Sequence, residues 1–129
     1  MCCMTTQKIL ALSFLLMALA VIAGAFGAHG LAKKIEPYLL EVWHKGNFYH
    51  FIHAFGIMAV GFMSALNLLP ESAQRMSVIL FMVGIILFCG SLYLLAVTGI
   101  KILGAITPFG GLSFIAGWVY LALQILKRY

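Results

Sequence analysis

The sequence predicts an all-α protein, a transmembrane four-helix bundle. Its composition, its four long apolar runs and the brevity of most of the connections between them indicate this fold. Of the 129 residues, 64% are hydrophobic and only 9% are charged. A soluble domain usually has about 25% charged residues, so most of this surface must face lipid. The length fits a single integral membrane domain over residues 1–129.

Four apolar runs are each long enough to cross the hydrocarbon core of a bilayer, which takes about 20 helical residues. The predicted spans cover residues 9–28, 47–69, 78–98 and 106–126. None shows the alternation of a membrane β-strand, so we predict helices. The connections after the second and third spans are short, which makes consecutive spans antiparallel neighbours.

The first span ends in the small-residue stretch GAFGAHGL, residues 24–31. Ala20, Gly24 and Ala28 recur at intervals of four, which places them on one face of the helix. Small residues at this spacing let a neighbouring helix approach closely in lipid. We expect this face to contact another span, and we expect Gly30 to end the helix.

The N-terminus has a second interpretation. Lys8, the apolar run after it and the small residues that follow also resemble a secretory signal with its cleavage site. Cys2 and Cys3 precede the run, where they are either plain thiols or acylation sites. With Cys89 inside a span, the three cysteines form no disulfide framework.

The first connection predicts a short amphipathic helix at residues 36–45. Pro37 stands at a first helical position, where its missing N–H is not needed. Apolar residues then recur with helical spacing between charged ones. Trp43 and Tyr38 suit the level of the lipid headgroups, so we expect this helix to lie at the membrane interface. It either runs into the second span through Gly46 or bends there.

Every span carries a seam of small or polar residues at steps of three, four or seven, as a compact bundle requires. The positions expected to carry helix packing are Ala20, Gly24, Ala28, Gly61, Gly84, Ser91, Gly110, Ser113 and Gly117. Thr107 and Pro108 predict the start of the fourth helix.

The basic residues lie near the ends of the spans, where Lys and Arg anchor helices to headgroups. They form no patch that could hold nucleic acid, so membrane lipids are the expected partners, with a homo-oligomer or a membrane-protein partner left open. The two sides carry four basic residues each. We expect cytoplasmic termini because Lys127 and Arg128 directly follow the last span.

Three histidines lie at one expected level of the bundle. His50 and His53 share a helix face, and His29 closes the first span. With Tyr49, they are expected to form a hydrogen-bonded cluster. A metal- or haem-binding bundle using His29, His50 and His53 is the alternative, although no carboxylate or thiol ligand is expected at that level. A pH-sensing role is a further alternative.

No arrangement of residues supports catalysis, so we expect no enzymatic activity, no catalytic residue, no metal and no cofactor. Acidic and basic residues are missing from the central part of every span, which disfavours an ion-coupled carrier. The expected role is a non-enzymatic structural, stabilising or interaction component of the membrane. The alternative is a small channel or carrier, whose pore would be lined by Ser91, Thr98, Ser113 and Gln124.

Four ordered motifs resemble the YgdD-like family of small four-span inner-membrane proteins. They are GAFGAHGL at 24–31, W-x5-YHFIHAF at 43–55, FCGSLYLLAV at 88–97 and ITPFGGLSFIAGW at 106–118. The resemblance implies the four-helix topology and a bacterial inner (plasma) membrane location, and it carries no enzymatic activity. The family is expected to have glutamine where this chain has His50, so the resemblance points to His29 and His53 as the family-type polar positions.

Overall fold

The computed structural model describes residues 5–128, so the predictions for Cys2 and Cys3 lie outside the described residues. Four helices are long and apolar enough to cross a membrane. We label them α1 (Thr6–Leu31), α2 (Pro37–Ala65), α3 (Glu71–Thr98) and α4 (Thr107–Leu126). The described residues contain no strand. The predicted all-α four-helix architecture is confirmed.

Helix α2 is one continuous helix from Pro37 to Ala65, so the helix predicted for residues 36–45 runs into the second span through Gly46 and does not bend away from it. Its apolar face was recognised in the sequence, but that face packs on protein instead of lying on lipid. Val42 and Trp43 are buried, whereas Glu41 is exposed. At about 1.5 Å per residue, a helix of 29 residues is some 44 Å long. It therefore carries both the predicted interfacial segment and the second span.

The end of α2 lies four residues before the predicted end of the span at Leu69. Asn67 adopts a left-handed conformation, with φ of 55°. The N–H of Leu68 then donates to the carbonyl of Met63 at 2.8 Å, and that of Asn67 to Ser64 at 3.0 Å. These two bonds form a Schellman motif, which ends the helix although the residues beyond it are apolar. Leu69 packs back into the core.

Helix α2 lies between α1 and α3, and α4 packs on α3. The core runs along these three contacts, with fully buried side chains such as Ile9, Ile57 and Phe81. Both α1 and α3 contain a π-helical turn, at Phe26–Leu31 and Ile85–Cys89. Gly30 lies within the first of these turns, so it does not stop the helix as expected.

Glycines lie where helices come closest. A Cβ on Gly61 would come within 2.6 Å of Leu10 Cδ2, and one on Gly117 within 2.7 Å of Phe81 Cε1. Gly84 faces the Phe114 ring in the same way, and Gly110 faces the backbone of Phe88. The α3–α4 contact therefore depends on missing side chains.

On α1, the predicted packing face is correct in part. Ala20 is completely buried, and a Cβ on Gly24 would lie 3.0 Å from Asn47 Oδ1. Ala28 is exposed, contrary to the expectation that it faces a neighbour. The π-helical turn begins at Phe26, and its wider spacing rotates the following residues away from the four-residue stripe. Gly27 takes the place in the contact instead and lies against Trp43.

The connection between α3 and α4 begins at Gly99, whose φ of 70° lies in the left-handed region. The Gly99 N–H donates to the carbonyl of Leu95 at 2.8 Å, which closes the last turn of α3. A short 3₁₀ helix, Lys101–Ala105, follows and leads into α4.

Candidate functional site

Two side chains of α2 donate hydrogen bonds to backbone carbonyls of α1. The Trp43 indole N–H donates to Ala23 at 2.8 Å, and the Asn47 amide donates to Ala20 at 2.7 Å. The two donors are one helical turn apart, and so are the two acceptors. The acceptors follow in the opposite order along the chain because the two helices are antiparallel. The close approach comes from Gly24 and Gly27, which lie against Asn47 and Trp43. We call these bonds the α1–α2 ladder.

The ladder continues into a polar network that reaches α3. Tyr93 brings its hydroxyl to 3.3 Å from the Asn47 amide nitrogen and 3.1 Å from Nδ1 of His50. Since the Asn47 amide donates to this hydroxyl, the hydroxyl proton is available for Nδ1 of His50. The His50 ring also interacts with the backbone of Leu16, a further turn along α1. Its Nε2 is buried without a hydrogen bond of normal geometry.

His53 has partners for both of its ring nitrogens. Nδ1 lies 2.7 Å from the carbonyl of Tyr49, and Trp118 of α4 donates its indole N–H to Nε2 at 3.2 Å. A carbonyl can only accept and an indole can only donate, so the ring is held as the tautomer with its proton on Nδ1. The ring also stacks on Phe114, with centroids 3.3 Å apart and planes at 7°. His53 therefore joins α2 to α4.

The structure brings only part of the predicted cluster together. His50 and His53 are 6% and 3% exposed, but they point to different neighbours, α3 and α4. Tyr49 contributes its backbone carbonyl and packs its ring on Phe88 at 4.5 Å. His29 is exposed and does not join them, because it follows the start of the π-helical turn that moves this end of α1 out of register.

The residues expected to line a pore also lie apart. The hydroxyl of Ser91 meets that of Thr107 at 2.7 Å, and Ser113 donates to the carbonyl of Leu80 at 2.7 Å. Each of these bonds joins α3 to α4. Thr98 donates to Leu94 on its own helix at 2.6 Å, and Gln124 lies near the other end of the bundle.

A second polar network joins α1, α2 and α3 at the end of the bundle near the termini. The hydroxyls of Thr6 and Ser64 are 2.6 Å apart, and Ser64 donates to Gln74 Oε1 at 2.9 Å. Gln74 then donates from Nε2 to the carbonyl of Leu69 at 2.8 Å. Sequence reasoning missed Gln74 and Thr6 because both precede the apolar runs.

Sequence reasoning also missed the partners of the two histidines. Asn47, which shares the Tyr93 hydroxyl with His50, belongs to the predicted seam of small and polar residues on α2, three residues before His50. Tyr93 and Trp118 carried no signal, because an aromatic residue in an apolar run gives no indication of where its polar atom points. Among the described residues, no group of three or more His, Cys, Asp or Glu is arranged to hold a metal ion.

Comparison with known proteins places this arrangement in a family. The profile of the family described as "protein of unknown function (DUF423)" matches residues 23–111, which include both donors of the α1–α2 ladder, Trp43 and Asn47, and both buried histidines. The chain belongs to the DUF423 family.

Named relatives of this chain are bacterial membrane proteins. UPF0382 membrane protein YwdK of Bacillus subtilis is 49% identical over 109 residues, which cover 84% of this chain and 88% of the relative. UPF0382 membrane protein SSP2132 of Staphylococcus saprophyticus is 44% identical with the same coverage. A UPF0382 membrane protein of Staphylococcus epidermidis is 41% identical, covering 84% of this chain and 87% of the relative. No solved structure matches the chain. This DUF423 member is therefore a membrane protein, as predicted.

Proposed function

We propose that this DUF423 protein is a non-enzymatic structural or interaction component of the bacterial plasma membrane. The observation that supports this role is that polar side chains inside the bundle form hydrogen bonds between helices. Asn47, His53, Ser91 and Ser113 all make hydrogen bonds that join one helix to another. Such groups hold helices together in lipid, where the hydrophobic effect gives no association between apolar surfaces.

This arrangement differs from what a carrier or a cofactor site requires. A transport path needs polar groups that face a common cavity and that bind the solute in place of their other hydrogen-bond partners. A haem or metal ligand needs a ring nitrogen with a free lone pair. In His53, Nε2 already accepts from Trp118, and Nδ1 is held by Tyr49.

A flux measurement tests the proposal against the channel alternative. Purified protein is reconstituted into vesicles that contain indicators for protons and potassium and a small trapped dye. We expect leak rates equal to those of empty vesicles for all three. A leak that appears with the wild type and falls in the Ser113→Ala variant would establish a transport path and refute the proposal.

A photocrosslinking experiment tests the interaction role directly. A photoreactive residue is placed at Ile22 of α1 or Ile115 of α4, which are 64% and 61% exposed, and at completely buried Ala54 as the control. In native membranes, we expect one discrete protein adduct from an exposed position and none from Ala54. If both exposed positions gave only lipid adducts, the interaction role would be excluded and the structural role would remain.

The orientation and the finer family assignment belong to the same proposal. Cytoplasmic termini are supported by Lys127 and Arg128, which follow the end of α4 and are exposed. A fluorescent protein fused after residue 129 should fluoresce, whereas a fused alkaline phosphatase should be inactive. The reverse result would place the termini outside. The order of the four motifs supports membership of the YgdD-like group.

A further inference from the structure

A groove of about 390 Å³ opens at the end of the bundle opposite the termini. It lies between the connection that precedes α2 and the last turn of α3. One wall is apolar, with Val97 exposed beside the buried Leu95 and Ala96, and the rim is polar. Both bounding helices begin or end here, so the groove lies at the depth where a bilayer changes from acyl chains to headgroups.

Two lysines line the rim of this groove from separate parts of the chain. Lys34 precedes α2, and Lys101 begins the 3₁₀ helix after α3. Lys101 reaches the groove because Gly99 turns the chain back in its left-handed conformation. Glu36 is the acidic residue of the lining, so the ionisable side chains of the groove carry one excess positive charge.

The start of α2 adds to this positive character. Glu36 is the N-cap residue, and its side chain makes no capping hydrogen bond. Tyr38 and Leu39 follow in the first turn and also line the groove. The first N–H groups of a helix have no acceptor within the helix, and they form the positive end of its dipole.

We infer that this groove binds an anionic phospholipid, with its phosphate between Lys34 and Lys101 and an acyl chain along the apolar wall. The lysine pair supplies the charge that a phosphodiester requires. The wall explains why the ligand is a lipid and not a free anion, because Val97 is 56% exposed and continues the apolar surface of α3 into the bilayer.

The chain offers a matched pair of variants for the test. The first is Lys34→Gln with Lys101→Gln, which removes the rim of the groove. The second is Lys33→Gln with Lys45→Gln, which removes the same charge from the same end of the bundle outside this groove. All four lysines are exposed, so both variants should fold, and circular dichroism checks this.

The experiment measures the lipid retained by the full-length protein in detergent from an equal mixture of phosphatidylglycerol and phosphatidylcholine, by native mass spectrometry. We expect the wild type to prefer phosphatidylglycerol. A basic residue near an anionic surface changes affinity roughly fivefold, so the groove variant should lose about five- to twenty-five-fold of this preference. The control variant should keep most of it.

Three outcomes would overturn the inference. An equal loss in both variants would show diffuse attraction to the basic end of the bundle. No preference in the wild type would show no site at all. Displacement of phosphatidylglycerol by inorganic phosphate at equal concentration would show an anion site that does not use the apolar wall.

Discussion

Replacing Gly110 by alanine tests how the α3–α4 contact depends on a missing methyl group. The added Cβ would lie 2.7 Å from Cβ of Phe88 and 2.8 Å from its Cα, and closer still to its backbone nitrogen. Backbone atoms cannot rotate away as a side-chain tip can, so α3 and α4 would have to separate. Gly111 provides the control, because its added Cβ would meet the Phe88 ring at 3.7 Å, an ordinary contact.

The size of the effect follows from two opposing terms. Forcing a methyl group into a well-packed core costs about 1–3 kcal/mol, and the contact with the backbone places Gly110 at the upper end. Alanine is favoured over glycine inside a helix by about 1 kcal/mol. We therefore expect Gly110→Ala to lower the free energy of unfolding by about 2 kcal/mol. Gly111→Ala should raise it by up to about 1 kcal/mol.

The assay is reversible unfolding in mixed micelles by increasing sodium dodecyl sulfate, followed by tryptophan fluorescence. Trp118 lies on α4 itself and packs on Phe81 of α3, with ring centroids 4.8 Å apart, so its emission reports on this contact. The free energies of unfolding of the two variants should differ by roughly 3 kcal/mol, with Gly110→Ala below the wild type and Gly111→Ala above it. Equal shifts for Gly110→Ala and Gly111→Ala would refute the argument that the backbone of Phe88 sets the distance.

Three further predictions concern α1, the ladder and His53. In the same unfolding assay, Gly24→Leu should destabilise the protein far more than Leu15→Ala, because Gly24 faces Asn47 and Leu15 is 66% exposed; equal effects would contradict the packing of α1 on α2. Asn47→Leu should cost about 0.6–1.7 kcal/mol, as is typical of an interhelical hydrogen bond in a membrane, and no measurable cost would mean that the ladder does not stabilise the fold. Nitrogen-15 NMR should show the proton of His53 on Nδ1, and the resonance of Nε2 should move in Trp118→Phe; a proton on Nε2 would exclude the bond from Trp118.

The sequence was sufficient to predict the four helices and most of their packing faces, because hydropathy and small-residue spacing are local properties. Ala20, Gly61, Gly84, Gly110 and Gly117 lie buried at close contacts, where the spacing placed them. Helix ends that depend on a particular backbone conformation were harder to predict from the sequence. Leu66 and Leu69 continue the apolar run of α2, yet Asn67 ends the helix through its positive φ.

The polar network was predicted only in outline. His50 and His53 were identified, but their partners Tyr93 and Trp118 lie 43 and 65 residues away, and such pairings depend on how the helices are rotated about their axes. The π-helical turn at Phe26–Leu31 changes that rotation within α1. It explains why Ala28 and His29 are exposed although the four-residue pattern placed Ala28 at a contact. Gly27, which lies beside that stripe in the sequence, is the residue that is buried.

The α1–α2 ladder has a consequence for how the protein enters the membrane during synthesis. Helix α2 is much less apolar than α1 or α3. Alone in hydrocarbon, it would carry Trp43 and Asn47 with unsatisfied donors. The acceptors it needs are carbonyls of the helix made just before it, so the two segments should leave the translocation machinery together as a preassembled hairpin.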